Sequence, residues 1–359
     1  MAATPHTLRV RRSLRRFLAA HPGRIAPGDS VVCGVSGGGD SLALAAACVH
    51  AGLDVTTVTV DHGLQDGSAQ VAQDAAHACD ALGASARTVR VRVTGGGEAA
   101  AREARYRALG ECADGRPVLV GHTSDDDAEG LLLSLARGSG TGSLAGLREV
   151  SVEHPVVDAG AGWLGRPLLH AGRADTLGSC AELGLRVWHD PHNTSDAVLR
   201  SRVRHELLPL AREILGAHVG EALARSARML REDADLLDGQ ARQVLDAAGA
   251  EAGGTCLPVA VVEGCPAPVR RRVLRRWLGA GVGPLTSRHL EALDALVADW
   301  HGQGPVAVPY PANGAAGAAS PGGAPSWTST MGGTRRLVVR RRRTATGSQL
   351  VLEQEDRTP

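Results

Sequence analysis

The first third of the chain alternates short runs of β-branched residues with longer stretches whose apolar residues recur every three or four positions. The runs predict strands over 31–35, 55–60, 88–93 and 118–120, and the stretches between them predict helices over 42–49, 69–82 and 98–112. Strands alternating with helices of this length predict an α/β fold, a parallel sheet with helices on both faces. Such sheets bind their ligands at the carboxyl ends of the strands.

The rest of the chain is mostly helical in pattern. A helix is predicted over 125–137 with Ser124 as its N-cap, and helical patterns dominate from 199 to 300. Strands are predicted only at 305–308 and 337–340, after which the tail is expected to fray. Leu8, Leu14, Phe17 and Leu18 fall on one helical face and predict a helix packed on the first domain.

These patterns predict a domain boundary near residue 215. We expect a first domain over 1–215 and a smaller helical domain over 216–310. A low-complexity loop rich in Pro, Ala and Gly would follow over 311–334, and a terminal strand with a frayed tail over 335–359.

The composition narrows the class of protein. The chain has 359 residues, 43% apolar and 21% charged, which is ordinary for a globular protein of two or three domains. No apolar run reaches the roughly 18 residues of a membrane span. Its seven cysteines form no C-x-x-C pair, which indicates reduced thiols in a cytoplasmic protein, without a disulfide framework or a zinc site.

Arginine is clustered although the net charge is only +1. Arginines concentrate over 200–231, 270–276 and 335–343, and such clusters are candidate contacts for a phosphate backbone. Solvated helix faces are the alternative, because acidic residues interleave the first cluster. Charge alone therefore leaves nucleic-acid binding open.

The sharpest chemical signal is the loop after the first strand, Ser36-Gly37-Gly38-Gly39-Asp40-Ser41. Glycines let backbone N–H groups surround an anion, the helix that follows adds partial positive charge, and two serines add hydroxyl donors. Asp40 suits a magnesium ion that bridges phosphate oxygens. A Walker loop is excluded, because the chain contains no lysine.

Further segments accompany this loop in a fixed order. They are Val60-Asp61-His62-Gly63-Leu64, Glu98-x-x-x-Arg102-x-x-Arg105-Tyr106, Gly121-His122-x-x-Asp125-Asp126, Arg137-Gly138-Ser139-Gly140, Arg166-Pro167-Leu168-Leu169, Asp190-Pro191-x-Asn193 and Arg200-Ser201-Arg202-Val203-Arg204-His205. The loop resembles that of the N-type ATP pyrophosphatases (the PP-loop superfamily). The whole set resembles the tRNA(Ile)-lysidine synthase family over nearly the full chain, and residues 270–300 resemble its helical tRNA-binding domain. Thr123, Asp127, Gly130 and Ser201 depart from the family pattern.

The resemblance implies a ligase whose first domain adenylates its substrate. ATP, as co-substrate with Mg²⁺, would adenylate the wobble cytidine of an isoleucine tRNA with a CAU anticodon. Free L-lysine would then displace AMP, pyrophosphate having left in the first step. The resemblance implies a cytoplasmic enzyme without a membrane partner, and whether it forms a homodimer stays open.

The resemblance also suggests roles for individual residues. ATP would be bound by Ser36, Gly37, Gly38, Gly39, Asp40, Ser41, Asp61 and His62, and Mg²⁺ by Asp40 and Asp126. Catalytic roles fall to His122, Asp125, Asp126, Arg102, Arg105 and Arg200. The tRNA would be bound by Arg204, Arg225, Arg228, Arg270, Arg271, Arg272 and Arg275. Helical spacing further predicts that Asp126 and Glu129 share a face, with Asp127 on the solvated flank.

Each of these roles has a simpler alternative. The acids at 125 and 126 could serve as helix-capping charge, His62 and His122 could be ordinary strand-end histidines, and Arg102 and Arg105 could be solvated. Among whole-protein alternatives, a tRNA-thiolating enzyme would need paired cysteines and an amidotransferase-type synthetase would need a nitrogen source. An inactive RNA-binding homologue is disfavoured by the intact phosphate loop and acids.

Overall fold

The computed structural model describes residues 4–63, 67–93, 98–138, 140–188, 199–250, 253–310, 335–345 and 347–356. The predicted loop 311–334, the motif at 190–193, Leu64 and Ser139 lie outside these ranges. The chain divides into two compact units, residues 1–138 with 143–228 and residues 139–142 with 229–359. The domain boundaries predicted from the sequence remain predictions.

Thirteen α-helices are described. They are α1 (Pro5–Ala20), α2 (Gly39–His50), α3 (Ser68–Ala81), α4 (Glu98–Ala113), α5 (Ser124–Ala136), α6 (Thr141–Leu144), α7 (Pro155–Asp158), α8 (Arg173–Glu182), α9 (Leu199–Arg202), α10 (Leu208–Leu215), α11 (Val219–Ala247), α12 (Ala267–Leu278) and α13 (Ser287–Ala298). A π-helical turn, Val203–Leu207, joins α9 to α10. None of the described helices is long and apolar enough to cross a membrane.

A six-stranded sheet forms the centre of the first unit. Its strands are β1 (Ser30–Gly34), β2 (Asp54–Asp61), β3 (Ser85–Arg90), β4 (Val118–Val120), β5 (Val150–Ser151) and β6 (Leu164–Gly165). Their order is β3-β2-β1-β4-β6-β5, and all neighbours pair in parallel except β5 with β6. The predicted α/β class with a mostly parallel sheet is confirmed.

Alternate residues of β1 enter different cores. Val31 and Cys33 pack in a cluster with Phe17 of α1 and Leu42 of α2, whereas Val32 packs with Leu109 of α4. Because successive side chains of a strand point to opposite faces, helices cover both faces of the sheet. The carboxyl ends of β1 and β4 then lie side by side and begin the loops that carry the predicted site.

The second unit combines helices with an antiparallel sheet. Its strands are β7 (Cys256–Pro258), β8 (Val306–Val308), β9 (Arg335–Thr344) and β10 (Gly347–Asp356), in the order β7-β10-β9-β8. The strands predicted at 305–308 and 337–340 correspond to β8 and to part of β9, and residues 347–356, where the tail was expected to fray, form β10. Leu350 and Leu352 of the tail are buried with Trp277 of α12, so burial of these apolar side chains orders the last strand.

Candidate active site

The predicted phosphate loop, residues 36–41, follows β1 and includes the first residues of α2. Its two serines form hydrogen bonds within the loop. The Ser36 N–H donates to Ser41 Oγ at 3.1 Å, and the Ser41 hydroxyl donates to the Gly38 carbonyl oxygen at 2.8 Å. Gly37 has a φ of +81°, which side-chain-bearing residues rarely adopt. The first N–H groups of a helix have no intrahelical partner, so the start of α2 adds donors for an anion.

A close backbone contact joins this loop to the end of β4. A Cβ atom on Gly121 would lie 2.5 Å from the carbonyl oxygen of Asp40, so only glycine fits there. The residues after Gly121, which include His122 and the acids of α5, are thereby held beside the phosphate loop.

The acids of α5 begin at a capping interaction. Thr123, not Ser124 as predicted, is the N-cap, and its N–H and hydroxyl donate to Asp126 Oδ2 at 2.8 and 3.1 Å. Oδ1 of Asp126 faces arginines instead. Capping therefore uses one carboxylate oxygen and leaves the other for the site, so the capping and functional interpretations of this acid are compatible.

Arg173, the first residue of α8, joins the phosphate loop to α5. Its Nε lies 3.3 Å from Asp40 Oδ2, its Nη2 lies 3.4 Å from Asp126 Oδ1, and its Nη1 lies 3.1 Å from Glu129 Oε1. Its backbone N–H donates to Asp125 Oδ2 at 2.7 Å. One side chain thus contacts three carboxylates, which together hold the Arg173 pKa above its ordinary value despite burial.

Glu129 is the most buried acid of this group, with no exposed side-chain surface. Arg204 donates to it from Nε and Nη2 at 2.7 and 2.9 Å, and Arg200 donates from Nε at 2.9 Å. Burial opposes its negative charge, but Arg204 and Arg173 outweigh burial and lower the Glu129 pKa. Asp126 pairs with the same three arginines, Arg173, Arg200 and Arg204. Asp126 and Glu129 therefore lie on one face of α5, as their spacing predicted.

Arg204 lies at the acids of α5, apart from its predicted role as a tRNA contact, which stays a prediction. The sequence placed it among the tRNA contacts, whereas its side chain lies against Glu129 and, at 3.6 Å, Asp126. It follows the first residue of the π-helical turn, a geometry frequent at functional sites. We call Asp125, Asp126 and Glu129 of α5 the acid cluster, and Arg204 lies against it together with Arg200.

Asp125 and Asp127 point away from each other. Arg212 Nη2 donates to Asp125 Oδ1 at 2.9 Å, on the same side as Arg173. Asp127 is completely buried and accepts the Leu147 N–H at 2.7 Å. The prediction of a solvated flank for Asp127 was wrong, because this carboxylate anchors the backbone twenty residues further along.

The pKa of Asp40 is shifted upwards, in the opposite direction to that of Glu129. Burial raises its pKa, and Arg173 and the Thr176 hydroxyl, which donates to Asp40, offset burial only in part. Asp126 contributes to the rise through like-charge repulsion, which indicates that the two carboxylates are near each other. A further cation between them would relieve this repulsion.

The two predicted histidines are partly or wholly enclosed. His122 accepts a hydrogen bond at Nδ1 from Arg166 Nε at 3.2 Å, and burial lowers its pKa to about 3, so the imidazole is neutral. His62 Nδ1 is buried and has no partner in the described part of the chain. Asp61 beside it accepts the Gly63 N–H at 2.9 Å.

Arg102 and Arg105 flank one aromatic ring. Both guanidinium carbons lie 5.2 Å from the ring centroid of Tyr106, and the Tyr106 hydroxyl is buried with no hydrogen-bond partner among the described residues. Arg102 is exposed and Arg105 half-buried. Neither contacts the acid cluster directly, so both stand as side chains available to a ligand.

The arginines predicted to bind tRNA differ in accessibility. Arg270 is buried and paired with Asp294 at 2.7 Å, which makes it a core residue of the second unit. Arg272 is held by Asp238 and by the Thr141 hydroxyl, each at 2.9 Å. Arg271, which reaches Asp294 at 3.4 Å, is exposed. Arg225, Arg228 and Arg275 pair with no acid of the described chain.

The family resemblance implies a magnesium ion held by Asp40 and Asp126, and the positions of these two carboxylates show whether they suit it. Asp40 and Asp126 each direct one oxygen at the same guanidinium, that of Arg173, so a cation already separates them. No cluster of three or more metal-binding side chains occurs among the described residues. Mg²⁺ is commonly held by one or two carboxylates together with phosphate oxygens and water, and this pair fits that arrangement.

Sequence reasoning missed Arg173 and Thr176. The Arg166-Pro167-Leu168-Leu169 segment was recognised, and both residues follow it within ten positions. Their contact with Asp40 spans more than 130 residues, so no local periodicity could reveal it. The placement of α8 against α2 brings them into the site.

Comparison with known proteins agrees with this geometry. The sequence profile of the PP-loop domain matches residues 7–211, and that of the TilS substrate binding domain matches residues 257–310. A solved U34-tRNA thiolase from Methanococcus maripaludis has a similar fold, with a TM-score of 0.50 at 18% identity over 63% of this chain and 79% of that one.

Curated relatives extend the match to most of the chain. The tRNA(Ile)-lysidine synthase of Nocardia farcinica is 49% identical, covering 83% of this chain and 91% of the relative. That of Mycolicibacterium paratuberculosis is 50% identical, covering 84% and 89%. With the phosphate loop, the acid cluster and both domain profiles in place, the chain belongs to the tRNA(Ile)-lysidine synthase family.

Proposed function

We propose that this protein joins free L-lysine to the wobble cytidine of an isoleucine tRNA with a CAU anticodon. The observation that carries the proposal is the Arg173 bridge between Asp40 of the phosphate loop and the acids of α5. The phosphate loop and the carboxylates of α5 thereby lie side by side. The two substrates that the reaction must unite, a triphosphate and an ammonium-bearing amino acid, require these opposite environments.

In the first step the carbon-2 oxygen of the cytidine attacks the α-phosphate of ATP and pyrophosphate leaves. We assign the N–H groups of 36–41 and the Ser36 and Ser41 hydroxyls to the leaving phosphates. Asp61 and His62 lie at the end of β2 and are assigned to the nucleotide. Mg²⁺ held by Asp40 and Asp126 would neutralise charge that develops on the pyrophosphate. Arg102 and Arg105 suit the phosphates or the adenylated base.

In the second step a lysine amine attacks carbon 2 of the adenylated cytidine and AMP leaves. We assign the acid cluster to the lysine ammonium groups. Each of its carboxylates is already neutralised by arginine, so an ammonium group can enter only after an arginine withdraws. Arg200, whose side chain is 34% exposed, is the best candidate to pass from Glu129 to a phosphate. Lysine should therefore bind after ATP.

Lysine selection follows from the same acids. A site that pairs a distant charge at a fixed length discriminates sharply against side chains that place the charge elsewhere. Ornithine and arginine should be rejected strongly. Calorimetric titration of the protein with lysine, with and without a non-hydrolysable ATP analogue, tests the order. Equal affinity in both titrations would contradict it.

For the tRNA, we retain Arg225, Arg228, Arg271, Arg272 and Arg275 as proposed contacts. Arg270 is left out because it is buried against Asp294. We propose a cytoplasmic reaction, consistent with cysteines that are all free thiols in the structure. The match to the TilS substrate binding domain favours this function over tRNA thiolation.

Release of pyrophosphate tests the proposed adenylation directly. With ATP and Mg²⁺, we expect pyrophosphate only when a tRNA with a CAU anticodon is present, and AMP only when lysine is added as well. A tRNA with a CAC anticodon is the matched control. Pyrophosphate release without RNA, or no release with the CAU tRNA, would contradict the proposal.

A further inference from the structure

Helix α1 carries a dense positive charge. Its sixteen residues include five arginines and no aspartate or glutamate. Val10, Leu14 and Phe17 on its apolar face are 1% exposed and pack in the core of the first unit. The arginines therefore lie on the outer side of the helix, because its other side is buried in the core of the first unit.

Most of these arginines have no acidic partner. Arg9 pairs with Asp175. No acid of the described chain pairs with Arg11, Arg12, Arg15 or Arg16, and all but the half-buried Arg11 are exposed. Unpaired like charges on one helix repel each other, which is costly for folding and suggests an external anionic partner.

The acids nearest to α1 are already engaged. Asp175 accepts from Arg9 and contacts His6 at 3.2 Å. Glu182 accepts the Thr7 N–H at 2.8 Å. Glu149 lies between His21 and His170, at 3.0 and 2.7 Å. Among the described residues of the neighbouring elements, no carboxylate is left to pair with Arg12 or Arg16.

A cavity of about 220 Å³ opens beside these side chains. It is lined by Arg9, Arg12, Ser13, Arg16 and His170. The Ser13 hydroxyl donates to the Pro167 carbonyl oxygen at 2.7 Å, which fixes the wall of the cavity to the segment before α8. Every charged side chain in the lining is an arginine, so the cavity suits an anion.

We propose that this face of α1 binds the phosphate backbone of the substrate tRNA, as a contact separate from the arginines of α11 and α12. The inference rests on the proposed function for its choice of RNA. Arg12 and Arg16 are about 6 Å apart along the helix axis, so they can reach separate phosphates. Guanidinium groups bind phosphate oxygens bidentately. A membrane surface is disfavoured, because the apolar face of α1 is buried and cannot insert.

The test is the salt dependence of tRNA binding. Two lost phosphate contacts should make the slope of log K against log salt less steep by roughly 1.5. We expect this for the double variant Arg12→Gln/Arg16→Gln, with a raised Kd. The variant Arg12→Lys/Arg16→Lys keeps the charge and should keep most of the slope. Arg87→Gln/Arg92→Gln removes two exposed arginines at and after β3 and is the matched control.

The outcomes separate this inference from the proposed function. Wild-type protein is first assayed for modification of the CAU tRNA, and failure there contradicts the function. An active wild type whose slope is unchanged in Arg12→Gln/Arg16→Gln, or falls equally in the Arg87/Arg92 control, overturns the inference. Loss of binding to phosphatidylserine vesicles with an unchanged tRNA slope would also overturn it, in favour of a membrane.

Discussion

Arg173 donates from Nη1 to Oε1 of Glu129 at 3.1 Å, and this contact joins the start of α8 to the buried side of α5. The other nitrogens of the same guanidinium reach Asp40 and Asp126. Buried carboxylates are costly unless they are paired, so arginine stabilises these acids. An ammonium group or a metal ion can replace part of that arginine charge.

Replacing Asp40 by Asn should impair adenylation and spare tRNA binding. Loss of a metal ligand in the transition state is worth several kcal/mol, hence at least ~10²-fold in rate. The rate of pyrophosphate release at saturating tRNA measures the effect. Asp74→Asn, on the exposed side of α3, is the control and should remain near wild type. A wild-type rate for Asp40→Asn would refute the metal role.

Glu129→Gln should destabilise the first unit. The neutral amide leaves three arginines without their shared counter-charge. Removing one partner of a buried ion pair costs about 3–5 kcal/mol, and solvent around the partly exposed arginines should reduce the loss to about 2–3 kcal/mol. Urea unfolding measures this change in the free energy of unfolding. Glu103→Gln breaks only an exposed pair with Arg107 and should change stability by less than about 0.5 kcal/mol.

Asp127→Ala should affect folding more than lysine recognition. The Leu147 N–H would lose its acceptor, a loss of about 1–3 kcal/mol in the free energy of unfolding. The KM for lysine should change less than about threefold, equivalent to roughly 0.7 kcal/mol. Asp127→Asn keeps an acceptor oxygen and should retain more stability. A tenfold rise in KM with unchanged stability would place this acid in the lysine site.

His122 should make the protein sensitive to mild acid. Burial lowers its pKa from 6.5 to about 3, so the unfolded chain binds a proton in this range that the folded chain does not. Stability should therefore fall as the pH drops from 6.5 towards 3. His122→Asn should show a flatter fall in the free energy of unfolding between pH 6.5 and 4. Identical pH profiles for both proteins would show that this imidazole is not the group responsible.

Local signals in the sequence predicted the parts of the site that lie close together in the chain. The run at 118–120 coincides with β4, and the segment 36–41 follows β1 as expected, although α2 begins at Gly39, within that segment. Asp126 and Glu129 share arginines because helical spacing places them on one face. Each of these features depends on neighbours within a few residues.

Features that depend on distant segments were not predictable in this way. Asp127 is buried because Leu147 reaches it, and Arg173 enters the site because α8 packs beside α2. The apolar residues of β10 are confined to the run 350–352 between polar and charged ends, so no alternating pattern indicated a strand. Its partner β9 precedes it directly and forms a ten-residue antiparallel ladder with it.

The most direct test of the whole account is to incubate the protein with ATP, Mg²⁺, isotopically labelled lysine and a tRNA transcript with a CAU anticodon. Digestion of the tRNA to nucleosides and mass analysis then identify the product. We predict a labelled lysine-bearing cytidine at the wobble position, with AMP and pyrophosphate formed in equal amounts. Unmodified cytidine despite pyrophosphate release, or label that stays outside the tRNA, would contradict the account.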